Sequence, residues 1–246
     1  MAQAPRRTTL SGPTLVRLLA RLTEIDVPES GQSLSDRLSR WLGWTDAIAL
    51  STVLNLSPPA IAFDAQSAGN NAESLCARVR TVLANAIAGT GEAHGRRGGT
   101  AHVPSRGASM DTAVDYADFR QRYLALQQAM QAEIGDLRAR LRRMLSTRTP
   151  GMAQLAVLDA SMEQALDAHE RNLLASVPML LGMHFERLRE AERQRLAHAH
   201  VPENATAVPP GAWLDVFRKD MQSVLLAELN IRFQPVEGLL AALRTR

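Results

Sequence analysis

The sequence predicts an all-α protein: a long antiparallel helical hairpin, coiled-coil-like, with a small N-terminal helical module and a C-terminal docking helix. Three observations predict it. Leu and Ala dominate a composition that is 46% apolar but only 4% aromatic, which suits narrow helical stripes rather than sheets. From Asp115 onward apolar residues recur at steps of three and four, the period of an amphipathic helix. A short turn, Thr147-Arg148-Thr149-Pro150-Gly151, then separates that stretch from a second one of similar pattern, and two long helices joined so closely fold back on each other.

Along the chain, residues 1–9 carry no apolar period and are expected to be disordered. The module spans residues 10–88. Its first helix follows Ser11-Gly12-Pro13, carries Leu15, Leu18, Leu19 and Leu22 at helical spacing, and stops before Pro28, since the residue before a proline avoids the α region. Ser33 or Ser35 caps a second helix with Leu34, Leu38, Trp41 and Leu42, ended by Gly43. Thr45 or Asp46 caps a third, with Ile48, Leu50, Val53 and Leu54, running to Asn55 and the Pro58-Pro59 break. A fourth runs from Glu73 to about Ala88, with Leu75, Val79, Val82, Leu83 and Ile87 on one side. Residues 89–113, rich in Gly, Arg and Ser, have too little apolar surface to offset ordering entropy and form a flexible linker.

The hairpin occupies residues 114–200. Its first arm presents Tyr116, Phe119, Tyr123, Leu126, Met130, Ile134, Leu137, Leu141 and Leu145, a near-heptad seam. The second presents Leu155, Leu158, Met162, Leu166, His169, Leu173, Val177, Leu180, His184, Leu188 and Ala191, whose eleven-residue period is close to that of a straight helix. Because the pattern keeps its phase across Pro178, that proline is expected to kink the helix without ending it. A second linker, 201–211, with Pro202, Pro209 and Pro210, precedes the C-terminal helices of 212–246. There Trp213, Phe217, Met221, Val224, Leu225, Leu229 and Phe233 form a broad apolar face, and Pro235 restarts a last turn or two.

Several chemistries find no address. Cys76 is the only cysteine, so it makes no intramolecular disulfide and reads as a small buried hydrophobe. Neither a phosphate-binding G-x-x-x-x-G-K-[ST] nor a dinucleotide G-x-G-x-x-G occurs in context, and H-E-x-x-H and G-x-S-x-G are absent. His169 and His184, roughly 22 Å apart along one helix, cannot share a metal and read as satisfied interface histidines. His94, Arg96, Arg97 and His102 read as linker residues. Glu163, Asp167 and Glu170 neighbour bases such as Arg171, as solvated ion pairs do. No catalytic residue, cofactor or metal ligand is assigned, and the expectation is a protein that is not an enzyme. Arg17 and Arg21 interrupt the one N-terminal apolar segment, and the uncharged run Asn172 to His184 in the helical core contains Pro178 and is too short to cross a bilayer, so neither a signal peptide nor membrane insertion is expected and the address is cytoplasmic.

Two surfaces remain as candidates. Trp41, Trp44, Trp213 and Phe217 are candidate partner-binding residues. Trp41 and Trp44 are closely spaced at a helix boundary, where they either anchor a partner or, the blander use, pack the N-terminal module. Trp213 and Phe217 belong to the C-terminal apolar face, and a protein partner or a homo-oligomer is the expected association. Arg138, Arg140, Arg142, Arg143 and Arg148 give the hairpin a basic tip, a candidate nucleic-acid contact. The net charge of only +3 and the single lysine, Lys219, temper the meaning of a pI near 9.7, because non-specific nucleic-acid binding needs clustered charge.

Four blocks carry a resemblance. They are Ser11-Gly12-Pro13 with Val16-Arg17-Leu18-Leu19, the run Leu38 to Ile48 (LSRWLGWTDAI), Phe119-Arg120-Gln121-Arg122-Tyr123, and Gln234-Pro235-Val236-Glu237-Gly238-Leu239-Leu240. Together they resemble, over nearly the full length, a bacterial family known as a domain of unknown function, which supplies no activity to carry over. The resemblance implies a cytoplasmic accessory of a membrane-linked assembly.

Overall fold

The computed structural model describes residues 13–25, 31–55, 65–89, 114–198 and 211–245. The expected disorder of 1–9, nearly all of both linkers, and the Pro28 and Pro58-Pro59 breaks lie outside these residues. Among them are eight helices and no strand: α1 Thr14–Thr23, α2 Leu34–Trp41, α3 Trp44–Asn55, α4 Ala65–Ala88, α5 Tyr116–Ser146, α6 Pro150–Leu174, α7 Val177–His198 and α8 Ala212–Arg244. No helix among the described residues is long and apolar enough to cross a membrane.

Local chemistry explains most of the boundaries. Ser33 starts α2 with a reciprocal capping box, its hydroxyl accepting from the Asp36 amide while the Asp36 carboxylate accepts from the Ser33 amide, which satisfies two otherwise orphaned donors. Asp115 caps α5 through the Ala117 amide, and Thr149 caps α6 through the Met152 amide with Pro150 in the first turn, where its missing N–H costs nothing. Gly211 opens α8 with φ of 90°, a left-handed conformation that glycine adopts without steric penalty.

The helices pack as a multi-helix bundle, which corrects the expectation of a hairpin flanked by discrete modules. The turn at 147–149 does fold α6 back on α5, but α5 also packs on α8, α4 and α7. The first four helices do not gather into a module of their own: α1 lies on α7 and α8, α3 on α6, and α4 on α5 and α8. The reason is that the seam of α5 is too long for one partner. Phe119 and Tyr123 meet α7 and α8 residues, while Leu137, Leu141 and Leu145 are buried near the turn. Cys76 is buried on α4, in the same core as Leu83 and Ile87.

Two prolines behave differently from expectation. The helix preceding Pro178 does end, at Leu174, with Ala175 and Ser176 outside both α6 and α7. Proline offers no N–H to the carbonyl four residues earlier and crowds it, and here the side chain of Gln127 donates to the Leu174 carbonyl instead, at 3.2 Å. The break turns Leu173 out of the seam, leaving it 57% exposed. Pro235, expected to restart a helix, lies inside an uninterrupted α8. Packing of Phe233, Val236, Leu239 and Leu243 in the core holds the helix together across it. α4 also begins earlier than expected, at Ala65.

An aromatic group joins α5, α7 and α8. Phe217 meets Phe119, Phe185 and Tyr116 edge-on at 5.2, 5.0 and 6.2 Å between centroids, the arrangement ring quadrupoles favour. Tyr116 donates its hydroxyl to the Pro178 carbonyl and lies against Gly182, where a Cβ would come within 2.9 Å of the ring. Burial pushes the Tyr116 phenol up to about 12. Its neutral form is therefore the one the fold favours, and the stability it contributes is intact below about pH 10, where unfolded tyrosine ionises, and lost as pH rises toward 12. The expected result is that near-ultraviolet phenolate absorbance and alkaline unfolding share a step in that window, and that Tyr116→Phe removes the Tyr116 part of the step.

Candidate functional site

The outward side of α3 presents exposed apolar side chains. α3 is tied to α6 at both ends. Trp41, just before it, stacks on His169 with centroids 4.6 Å apart, and Gln154 donates to the Val53 and Leu54 carbonyls at 3.4 and 2.7 Å. These pairings run α3 antiparallel to α6. Only Val53 of this helix is buried. Trp44 is 82% exposed, and Ile48, one turn on, is 51% exposed. The Asp46 carboxylate accepts from the Gly43 amide at 3.0 Å, which fixes the turn that presents Trp44.

The four aromatic candidates thus divide. Trp44 is on the surface, Trp41 is half-buried against His169, Trp213 packs edge-on against Phe185 at 5.1 Å, and Phe217 is wholly inside. Phe217 and most of Trp213 are spent on the core, so the apolar face of α8 is an internal one.

The basic tip divides as well. Arg138 and Arg142 reach across to α6, where Arg138 bonds Asp159 at 2.8 Å and Glu163 at 3.1 Å, and Arg142 bonds the same two acids at 2.8 and 2.6 Å. Two guanidiniums and two carboxylates neutralise one another in a half-buried square, and these bonds raise the affinity of Arg142 for its proton against the opposing effect of burial. Arg140 and Arg143 face solvent, and Arg148 is half-buried. Glu163 and Glu170 are accordingly interhelical groups rather than a solvated face. Glu170 binds Arg232 of α8 at 2.9 Å, while Asp167 pairs with Arg171 on its own helix at 2.9 Å.

Two polar clusters lie in the core; sequence reasoning missed the first, and of the second it gave only His184, as a satisfied interface histidine. In the first, Glu228 on α8 has no exposed surface. It accepts from the Tyr123 hydroxyl at 2.7 Å and from the Gln127 amide at 3.1 Å, and pairs with Arg232 at 2.9 Å. Burial first, then the neighbouring Glu228 charge, push the Tyr123 phenol well above its usual range, so Tyr123 stays a donor. In the second, buried His184 bonds Asp220 of α8 at 2.9 Å through Nε2, and Arg187 lies 3.1 Å from Nδ1. An arginine can only donate, which leaves the imidazole proton on Nε2, facing Asp220. Arg187 continues to the Leu22 carbonyl and, at 3.4 Å, to Glu24, fastening the end of α1. The sequence signal for both is a polar residue at a core position of an apolar seam: Glu228 between Leu225 and Leu229, His184 beside Leu181 and Phe185.

Among the described residues no group of three or more His, Cys, Asp or Glu is arranged to hold a metal ion. Neither a curated protein nor a solved structure matches the chain significantly. One family model does, and it runs through all four blocks of sequence that carry the resemblance. The chain belongs to the family described as Protein of unknown function (DUF3348), whose model matches residues 1–245.

Proposed function

We propose that this chain is a non-enzymatic helical adaptor that works in the cytoplasm and binds a protein partner through the outward side of α3, with Trp44 as the anchor. The observation that carries the reading is the 82% exposure of Trp44 beside exposed Ile48. A tryptophan so placed keeps its apolar surface in water in the free protein and removes it only in a partner's pocket. The long seams of α5 and α8, by contrast, close within the bundle, which moves the association surface from the hairpin to α3. A component of a membrane-linked assembly is the partner class that the family resemblance implies.

Purification of the tagged protein from its native cells, with and without nuclease, tests this against a variant carrying Trp44→Ser and Ile48→Ser. Both side chains are exposed, so the variant's stability should stay within about 0.5 kcal/mol of the parent. The expected result is a nuclease-resistant protein partner kept by the parent and depleted about tenfold or more by the variant. Equal retention by both sinks the reading. Recovery of nuclease-sensitive material alone would favour the other role, nucleic-acid contact, which Arg140 and Arg143 would have to carry, since Arg138 and Arg142 already face carboxylates.

A further inference from the structure

A cavity of about 330 Å³ lies between α5, α6 and α8, at the lower end of the sizes that hold small molecules. Two of its lining residues are ones that a helix interior tolerates poorly. Gly135 stands within α5, where glycine weakens a helix relative to alanine. A Cβ built there would meet no atom within 4 Å, so no neighbouring helix requires the side chain to be missing; its absence only enlarges the cavity. Across from it, Pro235 interrupts the hydrogen-bond ladder of α8. Having no N–H, it releases the carbonyl of Ile231, four residues earlier, and Ile231 lines the same cavity. Both walls give up helix stability where they meet this space.

The charges choose among ligands. At one end Arg138 and Arg142 match Asp159 and Glu163, leaving that end neutral. At the other, Arg232 is shared between Glu170 and buried Glu228, each at 2.9 Å, and Asp167 is paired with Arg171 at 2.9 Å, so three carboxylates meet two guanidiniums. Asp167, one turn from Glu170, lines the cavity too, as do apolar Met162 and Leu166. An anion would meet this excess of carboxylates, and a wholly apolar ligand would strip water from the acceptors without replacing its hydrogen bonds. A cation rich in N–H donors, with a methylene body, satisfies both parts of the lining.

We infer that this cavity binds a short aliphatic diamine, its ammonium groups received by Asp167 and Glu170 and its methylenes by Met162 and Leu166. Asp167 and Glu170 stand three residues apart on α6, about 4.5 Å along the helix axis, a separation that a four-carbon chain spans. The site shares no residue with the α3 surface. The Trp44→Ser, Ile48→Ser variant therefore keeps diamine binding, and failure of either proposal leaves the other standing.

Calorimetry and thermal unfolding of the full chain at low salt test it, with 1,4-diaminobutane as the probe and 1,4-butanediol and succinate as neutral and anionic matches of the same length. The expected result is saturable binding of the diamine with Kd below about 10 mM, a rise in melting temperature, and no saturable binding of the other two. Gly135→Leu fills the space from a wall position that has room, and should remain folded while weakening the diamine at least about tenfold. Should that variant not fold, Glu170→Gln must weaken the diamine by a similar factor. Absence of saturation, unchanged affinity in the variant that folds, or succinate binding as tightly as the diamine overturns the inference.

Discussion

Replacing Glu228 by alanine should destabilise the protein by about 3–5 kcal/mol, the usual consequence of removing one partner from a buried ion pair. Glu228 is the acceptor on which Tyr123, Gln127 and Arg232 converge. Without it, the Tyr123 hydroxyl loses its partner inside the core, and Arg232, whose side chain is only 8% exposed, keeps Glu170 alone. Glu228→Gln should cost less, about 1–3 kcal/mol, because an amide oxygen can still accept while the charge of Arg232 goes partly unanswered. A second substitution separates the cost of orphaned partners from the worth of the network itself. In Glu228→Leu with Arg232→Met the charges leave together, and stability should recover the part of the loss that comes from the unpaired Arg232, while the Tyr123 hydroxyl, still without its partner, keeps about 1–3 kcal/mol of it. Urea unfolding of the single and double variants gives the coupling; additive losses would show that Glu228 and Arg232 act independently.

That network also marks the limit of what the sequence makes legible. Helix ends with local causes are visible in it: Ser33 and Asp36 at α2, Asp115 at α5, and Thr149-Pro150 at α6 all act within three residues. The seam of α5 is legible too, because Phe119, Tyr123, Met130, Ile134, Leu137, Leu141 and Leu145 are all buried. Periodicity states which face is apolar without stating which helix covers it. The seam therefore suggested one long hairpin, whereas α4, α7 and α8 share the surface of α5. The prolines show the same division. Pro178 and Pro235 carry the same local defect, yet the first ends a helix where exposed Ala175 and Ser176 follow Leu174, and the second is bridged by core residues on both sides. Glu228 and Arg232, four residues apart, look like an ordinary surface pair. Only their place among Leu225, Leu229 and Phe233 separates them from one, and the other partners of Glu228, Tyr123 and Gln127, lie more than a hundred positions away.

The two kinds of aromatic candidate should part most sharply under substitution by alanine. Phe217→Ala should cost about 3–5 kcal/mol, because the ring is wholly buried and meets Phe119, Phe185 and Tyr116. The hole left between three helices cannot close without moving the rings that line it. Trp44→Ala should change stability by no more than about 0.5 kcal/mol, since its side chain lies mostly in solvent and α3 is held to α6 by Val53, Trp41 and Gln154 instead. Thermal and urea unfolding of the two variants measures the contrast, and the partner capture described above gives the other axis. A fold-intact Trp44→Ala that loses its partner separates recognition from packing, whereas Phe217→Ala is expected to lose both together, through the fold. A large loss of stability at Trp44 would instead mean that the indole is covered within the chain, and the α3 surface would no longer be available to a partner.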